Sequence, residues 1–351
     1  MKPDFIIVGG GLAGTILAYT LIERFKKQVI VIDNSLEKSS SKVAAGIYNP
    51  ITGKRMTKTW MANEIFPFLV SFYKEIEINL DSKLVNNHSV YKPFDNIAEQ
   101  NHWTSQAAET GFLNWANVIQ SSKYKGTIND ALGGIESLNS GWLNCCKFLE
   151  SMHGYLISKN SLIQTEATPE FLNKIEYNDK IIFCEGYQAS FNPLWSWLPW
   201  LLSKGELLQI KSKSIHENII NKSVFICPTD IEGEYKVGST FHWKNLDDSV
   251  TPEAKEELLQ KLGTFYIDDY TIQNQTSGIR PSVKDRRPFI GIHPEYKNLA
   301  IFNGFGSKAV SLAPYFANHF ASFLVNGKEL IDEINIQQYL GYFYDSKKGG
   351  K

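Results

Sequence analysis

What this sequence lacks narrows its class before any motif is read. Its 351 residues include only four cysteines (Cys145, Cys146, Cys184 and Cys227), with no CxxC pair and no His spacing of a zinc site. The seven histidines form neither an HxxxH nor an HxH pair, so no metal site is expected. No apolar run approaches the roughly 20 residues that span a bilayer; Leu194–Leu202 is too short and too rich in Trp. Charge of one sign is also lacking. The formal net charge is −1, which excludes an overall basic field for nucleic acid or an anionic membrane. Charged residues at 21% and hydrophobic residues at 43% exclude a disordered or collagen-like chain. Met1-Lys2-Pro3-Asp4 runs at once into a short apolar segment and makes a poor signal peptide. With few cysteines, this sets the expectation of a cytoplasmic protein whose thiols stay reduced.

What is present has the order of an α/β protein. Phe5-Ile6-Ile7-Val8 and Val29-Ile30-Val31-Ile32 read as buried strands, with helical spacing from Gly14 to Phe25 between them. Strand, turn, helix and strand make a βαβ unit and hence a parallel sheet. Helices are predicted over Glu64–Lys74, from Trp142 to about Tyr155, from Thr251 to about Leu262 and from Lys308 to Val325. Thr251-Pro252-Glu253 supplies an N-cap, a first-turn proline and a first-turn acid. Ile181–Cys184, Phe289–Ile292 and Leu299–Phe302 read as further strands. Leu207–Lys211, Ser223–Cys227 and Tyr235–Phe241 have the turn spacing of an antiparallel sheet. With no repeat and no linker, two domains are expected to interleave rather than follow one another.

The chemistry is concentrated in glycine-rich turns. Gly9-Gly10-Gly11-Leu12-Ala13-Gly14 satisfies GxGxxG, between a strand and a helix. Gly9 permits the turn, Gly11 lets a pyrophosphate approach the backbone, and Gly14 lets helix and strand pack closely. The amides from Gly11 through Leu12 and Ala13 then face phosphate at a helix N-terminus. Asp33 ends the second strand, 22 residues beyond Gly11, where a carboxylate binds ribose hydroxyls and repels the 2′-phosphate of NADP. This motif does not separate FAD from NAD. The second segment does: Asn303-Gly304-Phe305-Gly306-Ser307-Lys308 opens another helix through Ala309 and Val310, and an extended dinucleotide needs contacts at both ends. The expectation is FAD, held by Gly9, Gly11, Leu12, Ala13, Gly14 and Asp33 at one end. At the other are Gly186, Gly304, Gly306, Ser307, Lys308, Ala309 and Val310, with the helix N-terminus favouring negative charge on the reduced flavin.

Four segments together resemble the D-amino-acid oxidase superfamily of glycine oxidase-like FAD enzymes. They are the N-terminal loop; Ser41-Lys42-Val43-Ala44-Ala45-Gly46-Ile47; Thr276-Ser277-Gly278-Ile279-Arg280-Pro281 with Asp285 and Pro288; and Gly304 to Leu312-Ala313-Pro314. The resemblance implies a Rossmann-like FAD-binding domain (1–60, 140–200 and 285–345) interleaved with a substrate domain (61–139 and 201–284) on a largely antiparallel sheet. It implies oxidation of a C–N bond of an amino acid or N-substituted glycine, with hydride passing to flavin N5. Ala45, Gly46 and Ile47 resemble the loop lying against the isoalloxazine, and Arg280 resembles the arginine that holds the substrate carboxylate. Many members carry a second Arg before the Leu-Ala-Pro helix. This chain has Gly306-Ser307-Lys308, and Lys308 is expected as the second catalytic cation.

That stretch and Gly46-Ile47-Tyr48-Asn49-Pro50 are also similar to the FAD-dependent domain of the bifunctional tRNA 5-methylaminomethyl-2-thiouridine enzyme. That relative oxidatively removes a carboxymethyl group from a modified wobble uridine. Without a methyltransferase half or a basic excess, a tRNA substrate is the second reading here, and nucleic acid is not the expected partner. A flavin-binding protein without turnover is a third. Lys54-Arg55 and Lys58 form a small basic cluster with two readings, a carboxylate- or phosphate-attracting site and a solvated turn. Trp195, Trp197 and Trp200 are read as core packing, with a partner surface or channel wall as the alternative.

Overall fold

The computed structural model describes residues 2–34, 39–52, 57–106, 114–168, 180–214 and 216–348; Lys54 and Arg55 lie outside them. Two large sheets organise the chain. The first has six strands in the order Leu162–Gln164, Val29–Asp33, Phe5–Val8, Lys180–Phe183, Leu299–Asn303 and Phe289–Ile292. Every pairing is parallel except the last. All four side chains of Phe5–Val8 are buried, as a central parallel strand covered on both faces requires. Its neighbours come from opposite directions along the chain, Val29–Asp33 on one side and Lys180–Phe183 on the other. Such a switch point opens a crevice at the carboxyl ends of the strands, where ligands of open α/β sheets bind.

The helix after the glycine turn, Leu12–Tyr19, continues as a π-helical stretch over Thr20–Arg24 and packs against Ala309–Asn326. Helix Ala62–Leu80 is longer at both ends than the predicted 64–74. Ala62, Ile65, Phe66, Leu69, Phe72, Tyr73 and Ile76 recur at helical spacing on its buried face. They join the core of the first sheet's helices, and the Tyr73 hydroxyl donates to the Val310 carbonyl at 2.9 Å. The helix predicted from Trp142 begins at Cys145 instead. Gly141–Leu143 is a strand, and the Asn144 side chain accepts from the Lys147 amide at 3.1 Å, so the cap sets the start.

The second sheet has eight strands in the order Tyr270–Arg280, Ser203–Ser212, Glu234–Gly238, Phe225–Pro228, Ile219–Asn221, Val90–Pro93, Gly134–Ser137 and Ala116–Ile119. It is largely antiparallel; only Ile219–Asn221 and Val90–Pro93 run parallel. Helix Pro252–Gly263 covers part of it through Ala254, Leu258 and Leu262, with Thr251 capping the Ala254 amide. The tryptophan cluster belongs to the core. Trp195 is fully buried against Phe183 and His293, Trp197 packs edge-on to Phe343, and Trp200 edge-on to Phe289. Among the described residues no helix is long and apolar enough to cross a membrane.

Candidate active site

A cavity of about 420 Å³ runs from the carboxyl ends of the first sheet to the Tyr270–Arg280 and Ser203–Ser212 strands of the second. Its first wall is the glycine turn. Gly9 has φ +106°, and a Cβ there would stand 2.5 Å from the Cys184 carbonyl oxygen. The Gly10 amide donates to Asp33 Oδ1 at 2.9 Å, while His153 Nε2 lies 3.0 Å from the Gly10 carbonyl oxygen. Asp33 therefore both shapes the turn and lines the cavity. The helix N-cap is Gly11, with no side chain to satisfy the first-turn amides. Leu12 N reaches Ser41 Oγ at 3.3 Å.

The second wall is the Ala44–Ile47 loop. Gly46 has φ +75°, and a Cβ would stand 1.9 Å from the Leu143 carbonyl oxygen, so only glycine fits. Lys236 Nζ donates to the Ala44 carbonyl at 2.9 Å and fixes the loop from below. Opposite it, Gly186 has φ +59° with open space around the position of a missing Cβ. Asn303, almost fully buried, donates through Nδ2 to the Gly186 carbonyl at 3.0 Å and accepts the Gly304 amide at 2.8 Å, tying the two loops together. Glu185 also lines this wall. Burial pushes its carboxyl up to about 7, against the opposing hydrogen bond from Asn192.

Arg280 closes the far end. Its Nη2 donates to Ser239 Oγ at 2.8 Å, Nη1 and Nη2 each reach the Thr240 carbonyl at 3.3 Å, and Cζ stands 4.2 Å from the centre of the Phe241 ring. Burial pushes the guanidinium down to about 10, and among the described residues no carboxylate pairs with it. A partly buried cation held only by neutral groups gains when an anion joins it.

Gly9, Gly11, Leu12, Ala13, Asp33, Ala45, Gly46, Ile47, Gly186, Gly306, Ser307, Ala309, Val310 and Arg280 all line this one cavity. Gly14, Gly304 and Lys308 do not. A Cβ on Gly14 would stand 1.9 Å from the Gly9 carbonyl oxygen, so this glycine serves helix packing. Gly304, at φ +77°, turns the chain against Phe289 and Val283. Lys308 ends the short 3-10 turn Gly306–Lys308, which sets Ser307 on the wall; burial, with the charges of Arg286 and Arg287, pushes the Lys308 ammonium down. Lys58 is engaged with Asn63 Oδ1 and the Trp115 ring rather than with the cavity. Sequence reasoning did not single out His153, Glu185, Gly205 or Ser239, which also line it. The sequence signal for Gly205 was its place between the flanking charges of Lys204 and Glu206; the others carry none.

The family described as FAD dependent oxidoreductase matches residues 4–323. The chain belongs to this family. As a FAD-dependent oxidoreductase it is 20% identical to the "tRNA 5-methylaminomethyl-2-thiouridine biosynthesis bifunctional protein" of Haemophilus ducreyi, over 93% of this chain but only 56% of that protein. The chain thus spans little more than half of that curated relative. Among solved structures, glycine oxidase from Geobacillus kaustophilus superposes with a TM-score of 0.77 at 15% identity, over 96% of this chain and 98% of that one. Iminodiacetate oxidase from Chelativorans sp. BNC1 gives 0.74 at 19% identity, over 95% and 98%. The cavity's residues suit the cofactor. Close-approach glycines, first-turn helix amides, the Asp33 carboxylate and the open space at Gly186 make a lining that a dinucleotide would fit.

Proposed function

We propose that this FAD-dependent oxidoreductase oxidises the C–N bond of a small amino acid or N-substituted glycine. The observation that carries the reading is Arg280, a partly buried guanidinium on the cavity wall with neutral partners and, among the described residues, no acid paired with it. A substrate carboxylate supplies the missing counter-charge in bidentate form. Ser239 and Thr240 orient the fork, and the Phe241 ring covers its face and reduces its access to water. FAD, when bound, supplies the hydride acceptor for the carbon beside the nitrogen. Holding the carboxylate fixes where that carbon sits, and alignment of this kind accounts for much of the rate in such a transfer. We place Ala45–Ile47 against the flavin ring, Asp33 at the adenosine ribose, and the first sheet with its helices as the FAD domain. The four unpaired cysteines support a reduced, cytoplasmic setting.

A second reading puts a carboxymethylamine on a modified tRNA uridine; the similar Haemophilus ducreyi protein is named for the biosynthesis of tRNA 5-methylaminomethyl-2-thiouridine. The test is incubation of the FAD-loaded protein with glycine, sarcosine or iminodiacetate and an artificial electron acceptor, followed by assay for glyoxylate. Glyoxylate formed in proportion to acceptor reduced supports the small-molecule reading. Its absence with the free amines, together with release of glyoxylate from carboxymethylaminomethyl-modified tRNA, supports the second.

A further inference from the structure

One glycine of the first turn is gripped at both its amide and its carbonyl, from two distant parts of the chain. Gly10 is buried, and its amide donates to Asp33 Oδ1 at 2.9 Å. A Cβ on Gly10 would stand 2.8 Å from Asp33 Cβ, so the acid packs directly on this residue. On the other side, the Gly10 carbonyl oxygen lies 3.0 Å from His153 Nε2. A carbonyl only accepts, so Nε2 is the ring nitrogen that carries hydrogen there. The helix that follows does not serve this carbonyl, because its ladder begins one residue later, where Gly11 accepts the Thr15 amide at 3.0 Å. His153 Nε2 stands 4.0 Å from Asp33 Oδ2, beyond hydrogen-bond reach, so the imidazole holds the acid through the glycine rather than directly.

His153 is delivered by a helix anchored to the same core. On Cys145–Ser158, Leu149 and His153 are four residues apart on one face, and both line the cavity. Leu149, Met152 and Leu156 are buried with Ile16 and Leu17 of the first helix, and the Tyr155 hydroxyl donates to Glu23 Oε1 at 2.6 Å. We propose that His153 is a positioning residue for the adenosine half of FAD: by holding the Gly10 carbonyl it fixes the glycine turn and, across it, the Asp33 carboxylate. The proposal rests on the placement of Asp33 at the adenosine ribose. Without the imidazole, a buried carbonyl loses its donor, and the Gly10 peptide is free to turn its amide away from Asp33. That loss falls on the ADP portion of the cofactor. This portion is the same in oxidised and reduced FAD, so both forms weaken alike and the flavin potential stays where it was.

The test is titration of the stripped protein with FAD and with ADP, followed by a redox titration at saturating FAD. H153F keeps a ring and deletes the donor, and should weaken FAD and ADP by the same factor, about tenfold or more, with the potential unchanged. H153Q places an amide Nε2 near the lost donor and should recover most of the affinity. In H153F/D33A the two losses should combine to less than their product, since both side chains hold one peptide. FAD affinity in H153F within about twofold of the parent overturns the proposal, as do losses that multiply fully in the double variant. A shifted potential, or H153Q as weak as H153F, overturns it too, because the ring then matters as packing and not as a donor to Gly10. Should H153F fail to fold, H153A against H153Q gives the same comparison. Failure of the ribose placement shows separately, as D33A that binds ADP as well as the parent does.

Discussion

Gly205 is glycine because Arg280 occupies the space its side chain would need. A Cβ on Gly205 would stand 1.8 Å from Arg280 Nη2 and 2.2 Å from Cζ. The two residues lie on adjacent antiparallel strands, where Gly205 pairs with Gly278 and Ser203 with Arg280. The guanidinium therefore folds back across its neighbour strand, toward Ser239, instead of standing out from the sheet.

Gly205→Ala is accordingly expected to displace the Arg280 fork while sparing the cofactor cradle. Reduction of the flavin by an amino-carboxylate should slow at least tenfold, with FAD content within error of the parent. Stopped-flow reduction and cofactor quantification check both halves. Unchanged reduction would remove Arg280's present position from the argument.

Arg280→Ala should be more severe. Each hydrogen bond to a charged group is worth on the order of 1.5–3 kcal/mol, so losing a bidentate pair predicts roughly a hundredfold or greater fall in kcat/KM. Arg280→Lys keeps the charge but not the fork and should recover only part of it. Steady-state kinetics with sarcosine measure this, and equal loss of FAD in Arg280→Ala would instead mark a structural residue.

The parts of this protein that were legible in its sequence are those specified by neighbours in the chain. Phe5–Val8 and Val29–Asp33 are apolar runs bracketing a glycine turn, so strand, turn and acid were readable together. Tyr270–Arg280 was not read as a strand. Gln273 and Asn274 are exposed and Gln275 half-buried on a strand at the sheet's edge, and only pairing with Ser203–Ser212 makes them extended. The same holds in the site. Asp33 follows the glycines at a fixed spacing, whereas His153, Glu185, Gly205 and Ser239 reach the cavity from four separate segments. Lys308 shows the limit of local reading. Spacing brought it next to the cavity, but the turn that carries it decided that Ser307 and not Lys308 forms the wall.

Asp33→Ala removes both the acceptor for the Gly10 amide and the carboxylate assigned to the ribose. A tenfold or greater loss of FAD affinity is expected, on the order of 1.5–3 kcal/mol. Fluorescence titration of the stripped protein with FAD checks it. Asp33→Asn, which keeps an acceptor for Gly10, should lose less.

Glu185 makes stability depend on pH. Its carboxyl titrates near 7 in the folded chain against an ordinary value of 4.5, because burial penalises the ionised form. Its contribution is thus fully present below the ordinary value and is lost as pH rises through the folded one. Glu185→Gln should flatten the decline of melting temperature over that window, measured at equal FAD saturation. A parallel decline in parent and variant would contradict this assignment.

The most direct test of the central claim is the visible spectrum of the purified protein under anaerobic conditions. Acid precipitation should first release yellow FAD into the supernatant, as expected for a non-covalent cofactor. Addition of glycine, sarcosine or another N-substituted glycine to the intact protein should then bleach the flavin without any other reductant, and Arg280→Ala should resist that bleaching while dithionite still reduces it. A flavin that dithionite reduces but that no amino acid or N-substituted glycine bleaches, whether free or carried on tRNA, would contradict amine oxidation as the function of this site.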